Sequence, residues 1–425
     1  MGYTNCTAIE RSGLRSALPG LAAIVVMVFS IFFPRLLFSP LLVAIQADLE
    51  VRAAAATRIF ATIYVGYAVS MLLSGFLATR VKHRRIVAFA ALGAGLGMQV
   101  AASAPSLPVL HFGVLIVGVS AGLYAPSGLS IVSEIVPAAR RGTGFAIHEL
   151  GPASSFVLAP AFVALLLPSF GWRALVSATG IVSALAGLSY LAGGSAGAFH
   201  GEAPRLGNLK LIFRYPRFWL IIVFLVIAAS AALGMFAVLP TFLIGHRGMD
   251  QQVANGLIGV SRTWGLLMVF ISGVLNDRIG FRRLVTAVFA ITGVFTILLT
   301  VADGILLAVA VLLQPAVISA FFPAAIAAMA SIGPPRTRNV VISLVVPMAS
   351  VFGAGLYPAV AGYFADLGLF DRVFQVTGAA LLLAIVLVPR FGPSRPAGER
   401  PAGDQAAGER PAGERPAGEQ PAGER

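Results

Sequence analysis

Four ionisable residues stand inside long apolar stretches of this sequence. Arg35 and Arg262 each lie deep within such a stretch, and His148 and Glu149 are neighbours inside another. An ionised side chain at the centre of a membrane costs several kcal/mol, so its presence there marks a functional candidate. A guanidinium binds a carboxylate or a phosphate through two parallel hydrogen bonds, and an imidazole or a carboxyl can carry a proton. The first chemistry to consider is therefore anion binding and proton transfer inside a membrane.

The elements that must position these side chains are membrane-spanning helices. Of the 425 residues 58% are hydrophobic and 11% are charged, and the mean hydropathy is +0.90, which is too apolar for one soluble core. A helix needs about 20 apolar residues to cross a bilayer, and no stretch shows the alternation of a membrane barrel. Twelve stretches qualify, at approximately 18–45, 56–79, 86–104, 107–136, 143–168, 172–192, 217–245, 253–276, 284–302, 304–333, 340–364 and 372–390.

The positions of lysine and arginine between these stretches predict the orientation. If the N-terminus lies inside the cell, only five basic residues face outward, namely Arg52, Arg58, Arg173, Arg247 and Arg372. Because basic loops stay in the cytoplasm, we expect both termini to be cytoplasmic and the protein to reside in the inner or plasma membrane. The net charge of +13 then reflects this bias and contact with anionic lipids, and it does not indicate nucleic-acid binding.

A repeat divides the chain into two related halves. Residues 75–85 read GFLATRVKHRR and residues 273–283 read GVLNDRIGFRR, an offset of 198 positions. Other landmarks recur at nearly the same offset, including Pro160 and Pro358. A long repeat in so apolar a chain is typical of membrane transporters.

The repeat and the composition together predict four regions. They are a first six-helix half at 1–192, a central cytoplasmic linker at 193–216, a second six-helix half at 217–391, and a tail at 392–425. The tail repeats Pro-Ala-Gly-Glu-Arg and contains no residue that forms a core, so we expect it to be disordered.

Twelve spans in two halves, an inner linker and a repeated loop signature resemble the major facilitator superfamily over residues 18–390. The signature of that family is Gly-x-Leu-x-Asp-Arg-x-Gly-x-Arg-Arg. The second copy fills it completely with Gly273, Leu275, Asp277, Arg278, Gly280, Arg282 and Arg283. The first copy keeps Gly75, Leu77, Arg80 and Arg84, but Thr79 replaces the acid and Lys82 replaces the second glycine.

The resemblance implies a set of gating residues at the cytoplasmic face. Glu134 and Arg141 match the Glu-x6-Arg pattern of many members, and Glu134 could supply the acid missing at Thr79 by pairing with Arg80 or Arg141. The alternative is a solvated interfacial pair that contributes only ~0–1 kcal/mol. The predicted gating residues are Gly75, Arg80, Glu134, Arg141, Gly273, Asp277, Arg278, Gly280 and Arg282.

The resemblance also places Arg35 and Arg262 beside one central cavity, since helices 1, 4, 7 and 10 line it in this family and helices 2, 5, 8 and 11 lie beside them. Two guanidinium groups from opposite halves would repel unless an anion lies between them, which predicts a small organic anion as substrate. Alternatively, each arginine is neutralised by Glu149 or by backbone carbonyls freed at Pro34 and Pro40. By depth alone, further predicted substrate contacts are Tyr64, Tyr67, Tyr124, Trp264, Gln314 and Tyr357.

His148 and Glu149 are the candidates for carrying a coupling proton, although Glu149 could instead serve only to neutralise an arginine. The sequence therefore predicts a proton-coupled secondary transporter of a small organic anion that acts by alternating access. It contains no nucleotide-binding loop, metal cluster or nucleophile arrangement, so we expect no enzyme activity and no cofactor. The expected partners are the anionic substrate and membrane lipids, and the expected state is a monomer. The alternatives are a drug efflux antiporter and a sensor with a transporter fold that does not transport.

Overall fold

The computed structural model describes residues 3–137, 140–194, 196–201, 212–332 and 338–391, and within those ranges it contains helices and no strand. Helices satisfy their own backbone hydrogen bonds, as a lipid environment requires. Part of the predicted linker, at 195 and 202–211, and the predicted tail at 392–425 lie outside the described residues.

The first half consists of five helical elements, α1 (Tyr3–Asp48), α2 (Ala53–Ala78), α3 (His83–Ala102), α4 (Leu107–Ile135) and α5 (Arg141–Gly193). α5 is broken at Gly171, whose φ of 72° and ψ of 164° are not helical. Glycine tolerates a positive φ because it has no Cβ. The break separates the predicted fifth and sixth spans.

The second half is interrupted more often. Its elements are α6 (Pro216–Ala229), a π turn (Ser230–Gly234), α7 (Met235–Thr241), a second π turn (Phe242–His246), α8 (Gln251–Val301), α9 (Gly304–Ser319), α10 (Phe321–Ala330), α11 (Arg338–Ala349), a third π turn (Ser350–Leu356), α12 (Tyr357–Asp366), α13 (Phe370–Ala384) and a 3-10 turn (Ile385–Phe391). α8 contains a break at Gly280, with φ 79° and ψ 160°, between the predicted eighth and ninth spans.

Eleven helices in the described ranges are long and apolar enough to cross a membrane. They confirm an all-α membrane fold. One of the eleven, Thr143–Gly193, has 51 residues and contains both the fifth and the sixth predicted span. Twelve separate crossings therefore stay a prediction, with Gly171 as the expected point of division.

The repeat is visible in how the helices pack. A Cβ added at Gly95 of α3 would lie 2.7 Å from the carbonyl oxygen of Gly180 in α5. At positions 198 residues later, a Cβ added at Gly293 of α8 would lie 3.0 Å from the carbonyl oxygen of Gly378 in α13. The same glycine pair therefore permits the same close helix crossing in both halves.

The two halves contact each other through a limited set of elements. α1, α2 and α5 of the first half pack against α7, α8, α11, α12 and the π turn Ser350–Leu356 of the second half. The Ser39 hydroxyl donates to the carbonyl oxygen of Phe236 at 2.5 Å, which joins α1 to α7. The Ala54 amide donates to Asp366 Oδ2 at 3.2 Å, which joins the start of α2 to the end of α12.

Candidate functional site

Arg35 is the most unusual charged residue of the described structure. It lies on α1 between Pro34 and Pro40 and is 7% exposed. Its guanidinium carbon lies 3.7 Å from the ring centroid of Phe32, 5.1 Å from that of Tyr67 and 5.5 Å from that of Tyr64, in cation–π geometry. Its Nε and Nη1 are buried and have no hydrogen-bond partner within the described residues. Two strong donors are therefore left for a ligand.

Arg262 of α8 is similarly buried, at 8% exposed, but it is better satisfied. Its Nη2 donates to the carbonyl oxygen of Ala232 at 3.1 Å, and its guanidinium carbon lies 4.5 Å from the Phe236 ring and 5.3 Å from the Phe156 ring. Only Nε is buried without a partner in the described part of the chain. A backbone carbonyl thus contributes to neutralising Arg262, and it comes from the first π turn of the second half rather than from Pro34 or Pro40.

Phenylalanine rings occupy the space between the two arginines. The Phe32 and Phe156 ring centroids are 5.9 Å apart, and those of Phe156 and Phe236 are 5.3 Å apart, both edge to face. Phe156 belongs to α5 of the first half and Phe236 to α7 of the second half. The rings therefore lie where the two halves meet.

A small cavity borders these rings. Its volume is about 10 Å³, room for about one water molecule. The residues that line it are Arg35, Leu36, Ser39, Phe60, Tyr64, Phe156, Leu233, Phe236 and Ala237. Arg35 is the charged residue of this lining, and Arg262 is separated from it by aromatic rings.

Tyr124, His148 and Glu149 form a hydrogen-bonded row on α4 and α5. Tyr124 Oη lies 2.9 Å from His148 Nε2, and His148 Nδ1 lies 3.2 Å from Glu149 Oε1. A neutral imidazole donates from one nitrogen and accepts at the other, so it can accept from the tyrosine hydroxyl while donating to the carboxylate. His148 is 4% exposed, whereas the Glu149 side chain is 65% exposed. The row therefore leads from an accessible carboxylate to a buried hydroxyl.

Glu149 Oε1 has His148 Nδ1 as its partner, and within the described residues no ion pair joins Glu149 to Arg35 or Arg262. No described contact supports the interpretation in which Glu149 neutralises an arginine. Tyr124, predicted by depth as a substrate contact, lies with the proton candidates instead.

The remaining predicted contacts divide into those near Arg35 and those elsewhere. Tyr64 and Tyr67 join Arg35 through their rings. Gln314 is 1% exposed and donates to the carbonyl oxygen of Ala231 at 3.0 Å, so it supports the same π turn that binds Arg262. The Tyr357 hydroxyl accepts from Thr377 Oγ1 at 3.1 Å and has no described contact with either arginine, and Trp264 is 54% exposed with no described contact to Arg262.

Sequence reasoning missed the phenylalanines. Phe32 stands three residues before Arg35, a spacing that places both on one helix face, so a search for aromatic neighbours at i−3 would have found it. Phe156 and Phe236 reach the arginines only through the packing of the two halves, and no local pattern indicates them.

The first signature loop is covered by residues 196–201, here called the linker strap. The His83 amide donates to the carbonyl oxygen of Phe199 at 3.1 Å, the Arg84 amide donates to that of Gly197 at 2.8 Å, and the Gly201 amide donates to that of Ala78 at 2.8 Å. Three backbone hydrogen bonds therefore fix the strap across the ends of α2 and α3.

Glu134 takes part in this strap. Its Oε2 accepts from the Gly197 amide at 3.3 Å, and the described contacts include no pair between Glu134 and the exposed Arg80. The side chain of Arg141, the other predicted partner, lies outside the described residues. Gly75 is partly buried on α2.

In the second signature, Gly280 occupies the break in α8, where its positive φ explains why the pattern requires glycine. Gly273, Arg278 and Arg282 are exposed. The side chain of Asp277 lies outside the described residues.

Comparisons with known proteins agree with this architecture. The sequence model of the Major Facilitator Superfamily matches residues 24–269 and 256–421. An uncharacterized MFS-type transporter of Mycobacterium tuberculosis is 28% identical over 182 residues, and this match covers 39% of the present chain and 30% of that relative.

Solved structures are similar in fold at low sequence identity. A bacterial homologue of the human lysosomal transporter Spinster, in an inward-facing and occupied conformation, has a TM-score of 0.74 at 16% identity and covers 91% of this chain and 99% of its own. A D-xylose-proton symporter has a TM-score of 0.72 at 15% identity, with 88% and 98% covered. A nucleoside transporter has a TM-score of 0.74 at 13% identity, with 88% and 99% covered. The family match extends over nearly the whole described chain, and the chain belongs to the Major Facilitator Superfamily.

Proposed function

We propose that this protein is a secondary active transporter that moves a small organic anion by alternating access, coupled to protons. The proposal rests on Arg35, which borders a cavity between the halves and whose buried Nε and Nη1 have no partner within the described residues. A buried charge without a counter-ion is strongly unfavourable. A bound anion would supply that counter-ion.

Arg35 is the principal substrate residue in this proposal, and Arg262 is its counterpart from the second half. Arg262 already donates to Ala232, so its role is to raise the positive potential of the site. Tyr64 and Tyr67 hold the Arg35 guanidinium by their rings. Lysine cannot replace the planar fork of either arginine.

The coupling proton is assigned to the row Tyr124–His148–Glu149. Glu149 is the accessible end, and His148 can pass a proton between the carboxylate and the tyrosine hydroxyl. In the proposed orientation both termini are cytoplasmic, the protein acts as a monomer in the cell membrane, and the signature loops form the cytoplasmic gate.

A panel of ligands tests the proposal through the thermal stability of the purified protein. Mono-, di- and tricarboxylates should raise the melting temperature, because a ligand that binds the folded state stabilises it. Arg35→Lys and Arg262→Lys should reduce that stabilisation, while Arg372→Lys, an exposed arginine on α13, should leave it unchanged. Stabilisation by lipophilic cations and not by carboxylates would favour the alternative of a drug antiporter. The aromatic residues that line the cavity are also compatible with that alternative.

One double variant separates a substrate role of Arg262 from a structural pair with Glu149. If the two residues served only to neutralise each other, Arg262→Ala with Glu149→Ala would restore stability relative to either single change. The proposal predicts no such rescue, since the two side chains form no described ion pair.

A further inference from the structure

Resting on the proposed function, we infer that the substrate of this site carries a single anionic group on an apolar body, as in an alkyl or aryl monocarboxylate. Two features of the site point to such a substrate, namely the number of cations that line the cavity and the chemistry of its remaining walls. Both can be read from the residues that surround Arg35.

The cavity offers one cationic group. Arg35 lines it and has two buried nitrogens without a partner in the described part of the chain. Arg262 does not line it, because the Phe156 and Phe236 rings stand in front of its guanidinium and its Nη2 donates to the carbonyl oxygen of Ala232. One guanidinium fork matches one carboxylate.

The other walls of the cavity carry no second cation. The Ser39 hydroxyl is already committed to the carbonyl oxygen of Phe236, and the Tyr64 ring belongs to the cage around Arg35. The other lining residues are Leu36, Phe60, Phe156, Leu233, Phe236 and Ala237. A second carboxylate there would be buried without a counter-ion, which costs far more than burying an alkyl chain or a ring gains.

The position of the rings indicates where the apolar body would lie. Phe156 and Phe236 come from different halves, both line the cavity, and they touch edge to face with 5.3 Å between centroids. The cavity is nearly filled in this state, at about 10 Å³, so a substrate must enter between these rings as the halves separate. If the apolar part of the substrate lies between the Phe156 and Phe236 rings, each ring keeps an apolar neighbour. A charged group in the same place would not provide one.

Matched acids test the inference on the purified full-length protein by isothermal titration calorimetry. Hexanoate and adipate have six carbons each and differ in carrying one or two carboxylates, and acetate has a carboxylate with almost no body. We expect hexanoate to bind at least about tenfold more tightly than adipate and than acetate. Benzoate and terephthalate form a second pair with the same expectation.

A variant locates the apolar body. Phe156→Leu should reduce the preference for hexanoate over acetate, and the matched control Phe112→Leu, on an exposed ring of α4, should leave it unchanged. Leucine is used because it keeps the site apolar and avoids a large cavity.

The outcomes distinguish this inference from the proposed function. Adipate binding as tightly as hexanoate, or an unchanged preference in Phe156→Leu, overturns the inference while anion binding stands. Failure of every carboxylate to bind, with binding of a lipophilic cation instead, overturns the proposed function itself.

Discussion

The two halves place an ion pair at equivalent positions, but with opposite polarity. In the first half Asp48 Oδ2 accepts from Arg173 Nη2 at 2.7 Å. At positions 198 residues later, His246 Nε2 lies 2.9 Å from Asp371 Oδ2, so the acid and the base have exchanged elements. Arginine is always charged, whereas this histidine is charged only when protonated. The repeat therefore preserves the location of the contact and changes its chemistry.

The first turns of α2 and α8 differ in a more consequential way. Asp250 caps α8 from its own half, since its Oδ1 accepts from the amides of Gln252 at 2.8 Å and Val253 at 3.1 Å. The equivalent residue before α2 is Arg52, which makes no side-chain cap. The acceptor for the Ala54 amide is instead Asp366 of the second half, at 3.2 Å. The carboxylate that caps α8 is therefore local, whereas the carboxylate that binds the first turn of α2 comes from the other half.

The signature loops show the same contrast. The first loop lacks the acid and is crossed by the linker strap, with the Phe199 ring 4.7 Å from the His83 ring. The second loop carries the full signature, and Phe391 lies 4.7 Å from Phe281, which stands 198 residues after His83. Apolar helix crossings are thus alike in the two halves, and polar contacts at helix ends are not. Such polar contacts are the ones that can set the balance between conformations.

The shared helix crossings should give the largest effects. Gly95→Ala brings a Cβ to 2.7 Å from a backbone oxygen, whereas at Gly293 the nearest atom, at 2.9 Å, belongs to the flexible Leu382 side chain. We expect Gly95→Ala to cost about 1–3 kcal/mol of unfolding free energy and Gly293→Ala less. Thermal unfolding in detergent measures both, with Gly256→Ala, which meets open space, as control. Equal losses would show that the two crossings are equally tight.

The second largest effect is expected at the signature loops. Gly280→Ala forces a side chain into φ 79°, which costs roughly 1–2 kcal/mol. Lys82, at the equivalent position of the first loop, has φ −60°, so it carries no such strain. Apart from the greater conformational entropy that glycine gives the unfolded chain, Lys82→Gly should change the unfolding free energy by less than about 0.5 kcal/mol. A comparable loss from both variants in thermal unfolding would contradict the contrast between the loops.

The carboxylates of Asp250 and Asp366 should differ in their effects, the first on stability alone and the second also on the contact between the halves. Asp250→Ala should lower stability by about 0.5–2 kcal/mol without moving the halves. Asp366→Ala should also release the start of α2 from the second half. Spin labels at Glu50→Cys and Leu367→Cys in a Cys6→Ser background report this as a longer distance in Asp366→Ala only. The same distance distribution in both variants would rule out Asp366 as a contact that holds the halves together.

The exposed ion pairs should give the smallest effect, because such pairs contribute about 0.2–1 kcal/mol. His246→Asp alone places two acids together and should lower stability. Adding Asp371→Arg recreates the polarity of Asp48 and Arg173 and should recover the loss. If the double variant is no more stable than His246→Asp, the two pairs are not interchangeable.

The sequence predicted the parts of this molecule that depend on composition and local pattern. The helical spans follow from hydropathy, whereas the resemblance named Gly280 without predicting that it breaks α8. The break at Gly171 was not predicted, since the fifth and sixth spans were separated by hydropathy alone.

The site was predicted in part. The depth of Arg35 and Arg262 in their helices marked them as buried, and both are. Depth does not specify direction around a helix, which is why Trp264, two residues from Arg262, is exposed and Tyr124 lies beside His148. The ring contact of Phe156 with Phe236 and the capping of α2 by Asp366 join residues from different halves, and only tertiary packing brings them together.

The central claim is that an anion held by Arg35 acts on the relation between the two halves. The most direct test measures the distance between labels at Glu50→Cys and Leu367→Cys with and without hexanoate, in the wild-type background and in Arg35→Lys. A ligand shifts a conformational equilibrium only if it binds one state more tightly, so we predict a changed distance distribution in the wild-type background and none in Arg35→Lys. The same shift in both proteins, or no shift in either, would contradict the claim.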